Sequence, residues 1–244
     1  MDITERKELE LMLMQSDKLS AVGQLAAGIA HEINNPLGII LGFAQAAAKK
    51  IKDSDALFLP IESIRREALR CKNLVENLLA FSRQSKTQMG EIDINETITN
   101  TLSIIEAQAK VKSVEIIKEL DILPLLMGNQ NQIQQVIINL CSNAIDAMPD
   151  GGKITVRTRS GPVGNEKKII LEVEDNGSGI PEEVRGKMFN PFFTTKEVGK
   201  GTGLGLSLVY EIIQRHNGVI KVESDCGRGT TFTIILPTVA DRAF

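Results

Sequence analysis

The chain has 244 residues, 42% hydrophobic and 24% charged, and its 28 basic and 31 acidic side chains leave a net charge of −3. That balance excludes collagen, low-complexity disorder and a membrane bundle. With one Tyr, eight Phe and no Trp, the chain offers neither a basic patch nor an aromatic stacking platform, so nucleic acid is not an expected partner. Cys71, Cys141 and Cys226 are odd in number and show no C-x-x-C spacing, which fits a reducing compartment better than a disulfide framework or a zinc site. No apolar run approaches the ~18 residues that span a bilayer, and Asp2, Glu5, Arg6, Lys7 and Glu8 replace a signal-peptide core. A cytoplasmic chain without membrane contact is expected.

From Glu5 to about Lys50 the apolar residues Leu19, Val22, Ala26, Ile29 and Ile33 step by three and four, which predicts an amphipathic helix. Asp53-Ser54-Asp55 interrupts it, and Pro60 suits the first turn of a second helix, where its missing N–H costs nothing. Ile61, Ile64, Ala68, Cys71, Val75, Leu78 and Leu79 carry that helix to about Ser85. Such a hairpin has too little surface for a core of its own and is expected to dimerise into a four-helix bundle. The polar stretch Gln84 to Gly90 reads as a linker, with the boundary near Thr87.

Beyond it the period changes. Val114 to Leu120, Lys153 to Arg159, Lys168 to Val173, Val219 to Ser224 and Thr230 to Leu236 are short, β-branched and mostly alternating. Helical patterns lie between them at Asn95 to Lys110, Gln130 to Met148 and Ser207 to His216. Alternation implies one wet sheet face, so the helices are expected on the other, as a two-layer sandwich with a mixed sheet. The expected fold class is therefore α+β: a helical hairpin followed by an α/β sandwich.

On the helix from Gln130 to Met148, the side chains Gln135, Asn139, Ser142, Asn143 and Asp146 form one polar stripe among apolar neighbours. A solvated face would ordinarily carry Lys and Glu instead of two helix-disfavouring asparagines. The alternative is a lined cavity, in which Asn carbonyls are neutral ligands suited to magnesium that also binds phosphates. Ile169, Leu171 and Val173 continue in step to Asp175, whose inward carboxylate needs a donor, and the exocyclic amine of a purine could supply it. A plain Asn-Gly turn at Asn176-Gly177 explains the glycines but not that carboxylate.

Gly199-Lys200-Gly201-Thr202-Gly203-Leu204-Gly205-Leu206 opens the next helix, so backbone N–H groups converge where an anion could sit. A glycine-rich hinge is the alternative, and no strand directly precedes the run as a dinucleotide-binding unit would require. Phe189, Phe192 and Phe193 lie in the segment Lys187 to Val198, expected to be a lid whose aromatics dock on ligand. His31 lies about 200° around the helix from the stripe of Ile29 and Ile33 and is expected in solvent, with Glu32 beside it and Asn35 one turn on, ahead of a bend at Pro36. His216 ends its helix where a cation favours the dipole and is assigned no chemistry.

Taken together, His31-Glu32-Ile33-Asn34-Asn35-Pro36-Leu37, Asn139-x-x-x-Asn143, Asp175-x-Gly177-x-Gly179, Phe189-x-Pro191-Phe192 and Gly201-x-Gly203-x-Gly205 resemble the ordered boxes of sensor histidine kinases of two-component systems. The resemblance runs from about Lys18 to Leu236. It implies a dimerisation and histidine-phosphotransfer domain over 19–87 and a catalytic ATP-binding domain over 88–244, of the kind shared with Hsp90, MutL and type II topoisomerases. Asn143 to Met148 looks like the nitrogen-regulation and PAS-linked subgroup, and Asp2 to Arg6 is similar to the way PAS domains end. Residues 1–18 would then be a helical linker after a sensor domain of a longer protein.

Carried over position by position, the resemblance makes His31 the phosphoacceptor and Asn143 the Mg²⁺ ligand, with Asn139 lining the phosphate site. Asp175 would bind the adenine amine, with Gly177, Gly179 and Ile180 alongside and Thr231 near the ring. Gly201, Thr202, Gly203, Leu204 and Gly205 would bring lid backbone to the triphosphate of ATP, and Lys196 or Lys200 would reach its oxygens. Glu32 would take or hydrogen-bond the proton on the second ring nitrogen of His31 while the first attacks the γ-phosphorus. A response regulator's receiver domain would dock near Leu37, Ile40 and Leu41, where Asn35 could orient water for dephosphorylation of the regulator. The competing readings are an ATP-driven clamp or chaperone and a non-catalytic dimeric scaffold. Hydrolysing relatives carry Glu at the position of Asn139, and an amide cannot activate water as that carboxylate does.

Overall fold

A computed structural model of the chain describes residues 33–51, 55–82, 89–163, 166–196 and 201–238. They fall into two compact units that part between Ser85 and Lys86. His31, Glu32 and Lys200 lie outside the described residues.

The first unit contains helix α1 (33–48), helical through Pro36, and α2 (Phe58–Ser82). Asp55 prepares the start of α2: its carboxylate accepts from Leu57 N at 2.9 Å and its carbonyl from Phe58 N at 3.0 Å. Pro60 falls in the first turn, where no intrahelical N–H is needed. Ala44, Ala68 and Val75 are buried, whereas Ile33, Ile39, Ile40, Phe43, Ile64 and Leu69 stay exposed. Among the described residues no helix is long and apolar enough to cross a membrane.

The second unit runs β1 (Gly90–Ile92), α3 (Ile94–Val111), β2 (Val114–Leu120), β3 (Leu126–Gly128), α4 (Gln130–Asp146), β4 (Gly152–Val163), β5 (Glu166–Asp175), α5 (Glu182–Arg185), α6 (Gly205–Arg215), β6 (Val219–Asp225) and β7 (Gly229–Pro237). Asp93 caps α3, accepting from Asn95 N and Glu96 N, and Asn129 caps α4 by accepting from Gln132 N. Ile94, Ile98, Leu102, Ile105 and Ala109 form the buried stripe of α3, at the three- and four-residue steps an amphipathic helix needs.

Five strands form a mixed sheet in the order β2-β4-β5-β7-β6, with β2 parallel to β4 and the remaining pairs antiparallel. Ile169, Leu171, Val173 and Asp175 alternate inward along β5, opposite Leu236, Ile234, Phe232 and Thr230 of β7. Helices α3, α4 and α6 pack with that face. The other face carries charge: Arg157 bonds Glu119 and Glu174, and Arg159 bonds Glu172 across the strands. The two-layer sandwich with one wet face is the architecture expected from the alternation.

Three features differ from the sequence reading. β1 and β3 pair antiparallel as a separate two-stranded sheet, each too short for alternation to show. β4 and β5 pair out to Val163 and Glu166, beyond the expected limits at Arg159 and Lys168. His216 is wholly buried, so the helix-dipole account of it is corrected. Its Nε2 accepts from Asn129 N at 3.0 Å and its Nδ1 lies 2.7 Å from the Ile212 carbonyl, so the ring locks the end of α6 to the cap of α4.

Candidate functional site

Asn139, Ser142, Asn143 and Asp146 of the α4 polar stripe line a cavity of about 420 Å³, within the size range of small-molecule sites. Its walls come from α4, the end of β5 and the turn after it, the segment from Met188 to Lys196, the start of α6 and the start of β7. Of the residues singled out from sequence, Asn139, Asn143, Asp175, Gly179, Ile180, Lys196, Gly201, Thr202, Gly203 and Gly205 all line it. Residues as far apart as 139 and 205 thus reach one space because α4, β5 and α6 meet there. Asn35 belongs to the other unit and is exposed on α1.

Three assigned residues do not line the cavity. Gly177 supports it instead, donating its N–H to Asp175 Oδ1 at 2.9 Å. Leu204 is buried, and its carbonyl accepts from the Ser207 hydroxyl at 2.9 Å, anchoring the start of α6. Thr231 is corrected by strand alternation: it pairs with Glu174, while its neighbour Thr230 pairs with Asp175 and lines the cavity with Phe232. The signal for Thr230 was present in the sequence, since it lies in step with Phe232, Ile234 and Leu236.

Asp175 is 7% exposed. Burial pushes its carboxyl above the ordinary range; hydrogen bonds from the backbone of Gly177 and Thr230 pull against that, and the nearby charge of Glu174 adds to it. At the opposite end, Lys196 Nζ donates to Asn143 Oδ1 at 3.1 Å and to Asp146 Oδ2 at 2.6 Å. Those two oxygens therefore already form a pair that accepts a cation. An amide oxygen with one carboxylate is the kind of sparse oxygen set that suits Mg²⁺ when phosphates complete its shell.

Asn139 Nδ2 donates to the Gln135 carbonyl at 3.0 Å, and a Cβ added at Gly205 would lie 3.0 Å from Asn139 Oδ1, so glycine lets the start of α6 abut α4. Gly203 has φ of +67° and sits where a Cβ would come within 2.3 Å of the Phe192 carbonyl carbon. The aromatics of the expected lid do different things. Phe189 packs on Tyr210 of α6 with ring centroids 5.4 Å apart, Phe193 lines the cavity, and Phe192 is exposed. Cys141, on the buried side of α4, has its thiol pushed up to about 12 by burial, which leaves it unreactive.

Residues 128–240 match the family described as histidine kinase-, DNA gyrase B-, and HSP90-like ATPase, and residues 21–86 match the His Kinase A (phospho-acceptor) domain. The chain is 42% identical over 254 residues to the Sensor kinase CckA of Brucella abortus, covering 99% of this chain and 27% of that protein. To Sporulation kinase E of Bacillus subtilis it is 38% identical over 237 residues, covering 97% of this chain and 31% of that one. The chain thus spans less than a third of either relative. Among solved structures, the histidine kinase ThkA in complex with the response regulator protein TrrA matches with a TM-score of 0.65 and 30% identity, covering 99% of this chain and 69% of that chain.

Proposed function

The chain belongs to the histidine kinase family, and from that premise we propose that it uses ATP to phosphorylate its own His31 and passes the phosphoryl group to an aspartate of a response regulator in the cytoplasm. The observation that carries this reading is the convergence of Asn139 and Asn143, Asp175 and the glycine-bounded start of α6 on one cavity. Phosphoryl transfer needs mainly positioning and charge neutralisation, and these groups divide that work.

Asp175 accepts from the exocyclic amine of adenine, and the backbone N–H groups from Gly201 to Gly205, at the positive end of α6, take the triphosphate. Lys196 reaches phosphate oxygens when it leaves Asn143. Asn143 would hold Mg²⁺, with Asp146 nearby; the metal supplies neutralisation of the charge that develops on the phosphates. A ring nitrogen of His31 attacks the γ-phosphorus, the bond to the β-phosphate oxygen breaks and ADP leaves, while Glu32 accepts or hydrogen-bonds the proton on the other nitrogen. Asn139, an amide tied to Gln135, is no base for water, which speaks for a kinase over an ATP-driven clamp.

The domain limits that fit are a linker over 1–18, a dimerisation and phosphotransfer domain over 19–87 and a catalytic domain over 88–244. The apolar residues left exposed on α1 and α2 are the support for a homodimeric four-helix bundle. Ile40, 46% exposed, with Leu37 and Leu41 beside it, offers the receiver domain an apolar foothold. Asn35, exposed on the same helix, is assigned the orientation of water for dephosphorylating the regulator.

Incubation with γ-labelled ATP and Mg²⁺ tests the core of the reading. Label that is acid-labile and absent from His31→Ala is expected. Acid-stable label, or label persisting on that variant, would overturn it.

A further inference from the structure

Ser224, on β6, does not line the cavity but is buried directly behind it, 7% exposed. Its hydroxyl has three polar neighbours: the N–H of Ile180 at 2.8 Å, the carbonyl of Gly229 at 2.9 Å and the hydroxyl of Thr230 at 2.9 Å. The identity of two of these neighbours decides where every proton lies. A carbonyl can only accept, so the single Ser224 proton goes to Gly229. A backbone N–H can only donate, so Ile180 takes one lone pair of Ser224. The contact with Thr230 must then run from Thr230 to Ser224, since Ser224 has no second proton.

From this proton order we infer that Ser224 is a positioning residue which makes the Thr230 hydroxyl an obligate acceptor toward the cavity, and so tunes the site for a purine edge that donates. The inference rests on the nucleotide reading above and adds to it the residue that sets polarity. Thr230 and Asp175 stand opposite each other in the β5–β7 register and both line the cavity. With the Thr230 proton held on Ser224, the side chains of Thr230 and Asp175 both present acceptors to the cavity. A 6-amino purine that donates directly satisfies them; a 6-oxo purine in the same place sets acceptor against acceptor. The same hydroxyl holds Ile180, so the turn after Asp175 and the orientation of Thr230 depend on one atom.

Without the Ser224 hydroxyl, the Thr230 hydroxyl is free to rotate and donate into the cavity. In the full chain, the affinities of ATP and inosine triphosphate, with Mg²⁺ present, should therefore change in opposite senses in Ser224→Ala. The ratio favouring ATP is expected to fall about tenfold, a size ordinary for one reoriented hydrogen bond in a binding site. Ser224→Thr, which keeps a hydroxyl, should retain the unmodified ratio. If Ser224 merely braces the fold, Ser224→Ala will weaken both nucleotides equally and lower thermal stability with the ratio unchanged, and that result overturns the assignment. Should Ser224→Ala not fold, Ser224→Cys, whose thiol hydrogen-bonds weakly, must give an intermediate ratio; an unaltered one is equally decisive against it. An unmodified chain that binds no ATP would bring down the nucleotide reading and this inference together, whereas ATP preference in the unmodified chain with an unshifted variant ratio removes only the role of Ser224.

Discussion

The ammonium of Lys196 lies 3.1 Å from the side-chain oxygen of Asn143, the atom to which the magnesium role is assigned. Two cations cannot share that oxygen without mutual repulsion. When metal and nucleotide enter, the lysine, which also pairs with Asp146, gives up Asn143, and the β- and γ-phosphates are the further anions the ligand brings within its reach.

Lys196→Ala should accordingly weaken ATP binding about tenfold, in line with loss of one charge-assisted hydrogen bond, and leave AMP binding unchanged because AMP lacks those phosphates. Calorimetric titration with both nucleotides checks this. Equal losses would mean that Lys196 only shapes the cavity wall.

Asp175 gives a pH-dependent trade between stability and binding. Its carboxyl is raised in the folded state, so folding favours the protonated form. A carboxyl raised in this way takes stability away as pH climbs from the unfolded value through the folded one, and the deficit is fully present above both. Asp175→Asn should raise the melting temperature of the nucleotide-free protein near neutral pH by a few degrees, and the gain should vanish in acid, where the native carboxyl is already protonated. The same variant should bind ATP at least about tenfold more weakly, since the charge that strengthens the bond from the adenine amine is lost and one acceptor oxygen becomes an NH2 donor. A melting gain that persists unchanged at low pH would contradict the burial argument.

His216 joins α6 to the cap of α4, the two helices that bring the glycine run and the asparagines together. His216→Ala leaves the Asn129 N–H without its ring acceptor and opens a void in a fully buried position, a loss of about 2–4 kcal/mol. Urea unfolding measures it; a change below about 0.5 kcal/mol, the scale of an ordinary surface substitution, would show the ring to be dispensable.

The bundle expectation is tested by size. A fragment of residues 1–86 should run as a helical dimer in light scattering, because its exposed isoleucines and Phe43 have no cover within one copy, and a fragment of 90–244 should be monomeric. A monomeric helical fragment would refute the bundle.

Asn35→Ala separates two activities. If the amide orients water near a regulator's phosphoaspartate, the variant slows dephosphorylation of the regulator while His31 is still phosphorylated at the ordinary rate. If the amide instead bonds the backbone ahead of Pro36, both rates fall together, and the dedicated phosphatase role is refuted.

Much of this molecule is legible in the chain because its signals are local. The stripe of α3, the alternation of β5 into Asp175 and the helix start after Gly201 each arise from residues within a few positions of one another. The pairing of β1 with β3 joins segments more than thirty residues apart through strands three residues long, so no periodicity could announce it. The alternation puts Thr230 on the inward face with Phe232, Ile234 and Leu236, but that it stands opposite Asp175 rests on the register into which the two strands settle. Lys196 meets Asn143 across fifty-three positions, and Ser224 meets Ile180 across forty-four. Hydrogen bonds of that kind have no sequence signature: each partner is an ordinary polar group until the packing of α4, β5 and α6 brings them together. Once buried, such groups must find donors or acceptors within about 3 Å, and only the tertiary arrangement determines which ones are there.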